Sequence, residues 1–219
     1  MSRSAWQVEA VRPRVEASGP VTDGNAASKP VPTWVQAHGI IDRPTGIEKA
    51  HASRQLLVDA ATNAFGRNQQ WTTAVMLLSG LVTRGIGLHN AAVAALEADN
   101  PFAAFTLIRS YAENAAGILY AADHPNKVDR VLGLDGHPLS VGKLTAHANR
   151  SPRFGGFKAV YSELSEYAHP LSKSIAASMA INGNKFRWSA TPAFRAGNDF
   201  LMACAWIVEL ANANSDLIV

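Results

Sequence analysis

The segment 100–125, NPFAAFTLIRSYAENAAGILYAADHP, constrains this chain more than any other. It reads as one helix with both ends marked. Asn100 is a residue type that accepts a backbone N–H at a helix start, and Pro101 suits the first helical position, where no N–H is needed. His124-Pro125 closes the helix, because proline disfavours helical geometry in the residue before it. Between these marks apolar residues recur at the helical period, and many of them are alanine. Alanine favours helix because it has no rotamer freedom to lose, and it buries little area per residue. A core made this way closes only when helices pack at short range. The chain is therefore expected to be all-α, a bundle of five to seven helices.

The other segments extend this reading. Ile47, Ala50, Leu57, Ala60, Ala61, Ala64 and Phe65 keep a helical period that Gly66 would stop. A second run, 69–97, carries Trp71, Val75, Leu78, Val82, Ile86, Val93 and Leu96. Its Gly80, Gly85 and Gly87 mark either close helix contact or a kink. Short helices are expected over 126–132 and 140–149, a longer one over 157–168, and a last one over 192–213. Ahead of that last helix, Asn182-Gly183 is a two-residue turn signal between β-tolerant runs, which predicts a small β-hairpin. Residues 1–45 differ: five prolines and three glycines, with polar residues between them, read as an extended or disordered arm. Trp6, Trp34, Ile40 and Ile41 would pin that arm either to its own domain or to a neighbouring subunit. Residues 46–219 form a single helical domain.

Composition narrows the functional classes. At 219 residues the chain can bury one substantial core. A net charge of +3 with scattered Lys and Arg forms no dense basic patch. Cys204, the one cysteine, sits in FLMACAWIV and reads as a small buried hydrophobe. One cysteine and widely spaced histidines do not make a zinc cage, so no metal and no cofactor is expected. There is no apolar leader, and the run 200–211 is short and holds Glu209, so a cytoplasmic protein without a membrane span is expected. No P-loop, His-Glu-x-x-His or Gly-x-Ser-x-Gly pattern is present.

Two stretches carry side chains able to do chemistry. On the 100–123 helix, Glu113 follows Arg109 by four residues, so the two can pair on a stripe that also holds Phe105, Ala112, Ala116 and Leu119. In YSELSEYAHP, Tyr161, Ser165 and His169 are spaced four and four and share a face. Leu164, Ala168 and Leu171 are expected to turn inward, Glu163 and Glu166 outward. Pro170 places His169 at the helix end, where the helix dipole favours an imidazolium. From there His169 would meet Glu113 or the phenol of Tyr120. Together Arg109, Glu113, Tyr161, Ser165 and His169 would bind an anion, perform acid–base work, or form a satisfied polar cluster.

The "Leu-hydrophobic-Arg-Ser-x-x-Glu" helix followed by a "Tyr-x-x-Leu-Ser-x-x-x-His-Pro" helix end resembles a family of uncharacterised bacterial and phage helical proteins. The resemblance covers 70–219 and carries over Arg109, Glu113, Tyr161, Ser165 and His169. It implies a fold more than an activity. In layout it is also similar to HEPN domains, many of which are ribonucleases of toxin or defence systems with an arginine, four to six residues, then a histidine. RGIGLH (84–89) and RVLGLDGH (130–137) have that spacing, whereas the positions upstream of His169 hold Glu163, Leu164 and Ser165. Three readings follow. The first is a non-catalytic binding or regulatory module, in phage–host conflict or stress response, whose polar cluster is structural or holds an anionic ligand. The second is a HEPN-like ribonuclease with a non-standard site. The third is an assembly protein that uses its arm. The expected partners are a second copy of the chain, as a homodimer, and a nucleotide or RNA.

Overall fold

The computed structural model describes residues 30–66, 72–171, 173–174, 179–182, 185–188, 190–195 and 197–218. Among them eight α-helices have defined bounds: α1 Thr33–Gln36, α2 Arg43–Phe65, α3 Thr73–Glu97, α4 Pro101–Asp123, α5 Val128–Leu132, α6 Val141–Arg150, α7 Phe157–Ala168 and α8 Gly197–Ile218. Seven of these correspond to the helices expected from the sequence; α1 is additional. The chain is all-helical in its core, and among the described residues no helix is long and apolar enough to cross a membrane. Met179–Asn182 pairs antiparallel with Lys185–Trp188. Gly183 of the expected hairpin turn lies outside the described residues.

Local chemistry sets the helix ends. Asp42 Oδ1 accepts the Thr45 N–H at 2.9 Å while Thr45 Oγ1 accepts the Asp42 N–H at 3.1 Å. This reciprocal capping box, with Pro44 in the first turn, starts α2 earlier than Gly46, where the apolar period begins. Thr72 caps α3; the start expected at Gln69 falls within 67–71, outside the described residues. Asn100 Oδ1 accepts the Ala103 N–H, Pro101 opens α4, and His124 ends it, as its sequence marks require. α8 starts at Gly197, not at Pro192. The Phe194 N–H reaches Asp99 Oδ1 at 3.4 Å and its carbonyl accepts Arg43 Nη2 at 3.4 Å, so this stretch docks on the α3–α4 turn instead of coiling. Asp99 itself holds φ 52°, a left-handed conformation that its short polar side chain tolerates.

α2, α3, α4 and α8 form the core, with α6 and α7 laid against α4. The close packing expected of alanine is present: Ala50, Ala92, Ala104, Ala115, Ala116, Ala203 and Ala205 are fully buried. A Cβ at Gly46 would sit 3.0 Å from Cys204 Sγ, and one at Gly85 would sit 3.1 Å from Asn114 Nδ2. Gly85 is thus the glycine of α3 that buys close contact, whereas Gly80 and Gly87 face open space. Cys204 is buried, and burial pushes its thiol up to about 12. Phe105 stacks on Tyr167 at 3.9 Å between ring centroids and touches Phe194 and Trp206, which joins α4, α7 and α8.

The described part of the arm is pinned to its own domain. Val35 and Ile40 are fully buried, Trp34 stacks on Trp206, and His38 Nε2 lies 2.7 Å from Glu209 Oε1. Asn198 Nδ2 donates to the Pro30 carbonyl. Ile41, by contrast, is exposed. Residues 1–29, with Trp6, lie outside the described residues.

Candidate functional site

α7 crosses α4 where Tyr161 overlies Arg109 and Glu113. The Tyr161 hydroxyl is the hub. It donates to Glu113 Oε1 at 2.7 Å and accepts from Arg109 Nη2 at 3.0 Å. Arg109 Nε lies 3.3 Å from Glu113 Oε1, the four-residue pair that the spacing predicts. The guanidinium also stands over the Tyr161 ring, 5.2 Å from its centroid. Arg109 and Glu113 are 23% and 25% exposed, so the pair sits at the edge of the core and not inside it, as the apolar stripe had suggested. Burial first, then Glu113, holds the Tyr161 phenol above its ordinary value against the opposing pull of Arg109.

His169 ends α7 in extended geometry, with its N–H on the Ser165 carbonyl and Pro170 behind it. Its Nε2 is 2.8 Å from Arg109 Nη1. A guanidinium nitrogen only donates, so His169 Nε2 must be the unprotonated nitrogen and Nδ1 carries the proton. The helix dipole suggested an imidazolium here; the nitrogen that faces Arg109 acts as an acceptor. The partner also differs from the expected ones, for Tyr120 stacks on His124 instead. Four of the five candidate residues therefore converge. Ser165 does not join them: its hydroxyl donates back to the Tyr161 carbonyl at 2.7 Å. Leu164 is fully buried as expected, but Leu171 is exposed, because the chain turns away after Pro170. Glu163 and Glu166 face outward and share Lys173.

The two arginine–histidine spacings do not converge. His89 is buried, with Nε2 3.0 Å from Ser53 Oγ, whereas Arg84 reaches Asn114 Oδ1 on α4. Arg130 lies 3.6 Å from Asp135, and both Arg130 and His137 are exposed. Sequence reasoning missed a second set of polar side chains around His89. Ser53 Oγ donates to the Ala50 carbonyl and accepts from His89 Nε2, which leaves Nδ1 bearing a lone pair. His89 Nδ1, Tyr111 Oη and Asn214 Oδ1 are buried and make no hydrogen bond of ordinary length among the described residues, although the Tyr111 hydroxyl lies near Asn214 and the His89 ring near the Asn90 side chain. Burial lowers His89 to about 4. No spacing signal pointed there, since these groups come from α2, α3, α4 and α8.

An open, mostly apolar groove of about 360 Å³ between α2 and α3 is lined by Ala61, Phe65, Val82 and Ile86 with the hydroxyl residues Thr62, Ser79 and Thr83, and no titratable group is in that lining. No protein-family model, curated protein or solved structure matches this chain.

Proposed function

We propose that this protein is a non-catalytic helical binding module, and that Arg109, Glu113, Tyr161 and His169 form the seat for an anionic group. The observation that supports it is what the cluster keeps and what it uses up. The basic nitrogen of His169 is occupied by Arg109 Nη1, and Glu113 Oε1 is occupied by Tyr161 and Arg109. The phenol is held in its protonated form. His169 and Tyr161 thus offer no free base or nucleophile, and Glu113 Oε2 is the one acceptor that keeps no partner in the cluster. Donors remain. Of the five N–H groups of an arginine, one on each terminal nitrogen of Arg109 has no partner in the cluster, and His169 Nδ1–H points away from its arginine contact. A guanidinium held from three sides loses little freedom on meeting a phosphate or carboxylate. The N-terminal arm and the hairpin ahead of α8 are read as attachments of this one helical domain.

Thermal denaturation of the full chain with inorganic phosphate, pyrophosphate and mononucleotides tests the reading. At least one phosphate compound raises Tm in the native chain and leaves Arg109→Gln unmoved, since a ligand that binds only the folded state stabilises it in proportion to its occupancy. If none raises Tm at millimolar concentration, the binding reading is lost. If the chain cleaves RNA and folded His169→Ala does not, a HEPN-like ribonuclease replaces it.

A further inference from the structure

The C-terminal end of α4 carries a second group of polar side chains that the Arg109 cluster does not use. Tyr120, Asp123 and His124 come from α4 and its cap, and His147 comes from α6. The two imidazoles are 5.1 Å apart between ring centroids and inclined at 68°. Tyr120 stacks on His124 at 4.4 Å and meets His147 edge-on, which holds both rings in place.

Each ring has its tautomer fixed by a partner behind it. His124 Nδ1 lies 3.2 Å from the Tyr120 carbonyl, which only accepts, so Nδ1 carries the proton and Nε2 carries the lone pair. His147 Nε2 lies 2.8 Å from Asp123 Oδ2, so Nε2 carries the proton and Nδ1 the lone pair. The other carboxylate oxygen faces Arg153 Nη1 at 3.9 Å, which holds Asp123 behind the ring. Both residues are half-buried, and among the described residues neither lone-pair nitrogen has a hydrogen-bond partner.

This is the arrangement around a metal-binding histidine: one nitrogen donates to a carboxylate or carbonyl, and the other is presented outward with raised basicity. The spacing fits as well. With metal–nitrogen bonds of about 2.0–2.1 Å and a tetrahedral angle at the ion, two imidazole centroids stand roughly 5 Å apart. Imidazole suits the borderline divalent ions, zinc, nickel and copper. We propose that His124 Nε2 and His147 Nδ1 together bind one such ion at the surface between α4 and α6, with Asp123 and the Tyr120 carbonyl as the groups that orient them. Among the described residues no three His, Cys, Asp or Glu side chains are placed so that they could hold one ion. The protein therefore supplies two ligands, and water completes the shell. A site of this kind is open and exchangeable, unlike the closed cage that the sequence excludes.

Equilibrium dialysis of the untagged full chain against Zn²⁺ at neutral pH, with the bound metal quantified, is the test. One ion per chain is expected. His124→Ala, which leaves the His147–Asp123 contact between α4 and α6 in place, weakens binding tenfold or more. Asp123→Asn keeps both ligands and weakens it by about tenfold through the lost orienting charge. The proposal is overturned if the native chain retains no Zn²⁺, or if His124→Ala and His147→Ala, each folded by circular dichroism, both bind as the native chain does.

Discussion

Two histidines approach α4 from different sides and meet different fates. His169 comes in on α7 to the face that carries Arg109 and Glu113. It is exposed, and its unprotonated nitrogen is satisfied by an arginine. His89 comes in on α3 to the face that carries Tyr111. It is 1% exposed, and its unprotonated nitrogen makes no hydrogen bond of ordinary length among the described residues. Residues 109 and 113 lie roughly opposite 111 on a helix of 3.6 residues per turn. One helix thus supports a connected polar cluster at its edge and an incomplete one in its core. An unpartnered buried polar atom carries a desolvation cost of about 1–3 kcal/mol. The inner cluster therefore adds less to the fold than its polar groups could, whereas the outer one leaves its spare donors in water at almost no cost.

The sharpest break of this comparison is at Tyr111. Tyr111→Ala opens a cavity between α3, α4 and α8 and should cost about 3–5 kcal/mol in chemical denaturation. Tyr111→Phe removes only a hydroxyl whose contact with Asn214 is long, and should cost no more than about 1 kcal/mol. A loss of more than about 2 kcal/mol in the phenylalanine variant would mean that the hydroxyl makes a full hydrogen bond to Asn214. Next comes His89. Burial lowers its folded value to about 4, against 6.5 in an open chain, so between those values the unfolded state binds more protons. Stability should then fall as pH drops from 6.5 towards 4, by up to about 3 kcal/mol, and His89→Leu should flatten that acid limb. A limb that persists unchanged in the variant assigns it to other groups. The smallest effect is at the outer cluster. Tyr161→Phe removes the hub between Arg109 and Glu113 and should cost about 1 kcal/mol, because those groups regain water at the edge. A cost as large as that of Tyr111→Ala would show the outer cluster to be a clamp.

The legible parts of this molecule are those where local chemistry and global packing agree. α4 is marked at both ends by Asn100-Pro101 and His124-Pro125, and α7 is stopped by Pro170. The convergence of Arg109, Glu113, Tyr161 and His169 follows from two short spacings brought together by one helix crossing. Where a side chain has a choice of partner, spacing gave no guidance. Ser165 shares the face of Tyr161 yet returns its proton to its own helix. The partner of His169 is an arginine sixty positions away in sequence, not a group on its own helix. Ile40 was legible as an anchor, whereas α1 and the burial of Val35 were hidden among prolines and glycines, because a short segment is ordered by the surface it lands on. The inner cluster and the His124–His147 pair are assembled across helices far apart in sequence, and no local pattern records such a meeting.

The pairing of α2 with α8, which packs Gly46 against Cys204, has a consequence for how the chain is made. These helices stand near opposite ends of the described chain, so their contact has almost the largest loop to close, and loop closure costs entropy before the contact repays it. A ribosome completes α2, α3 and α4 while α8 is still unmade. Through that interval the apolar faces of α2 and α4 wait without their partner, exposed to chaperones and to neighbouring nascent chains. The last helix is therefore the latch of the bundle, and the order of synthesis sets the moment at which the core can shut.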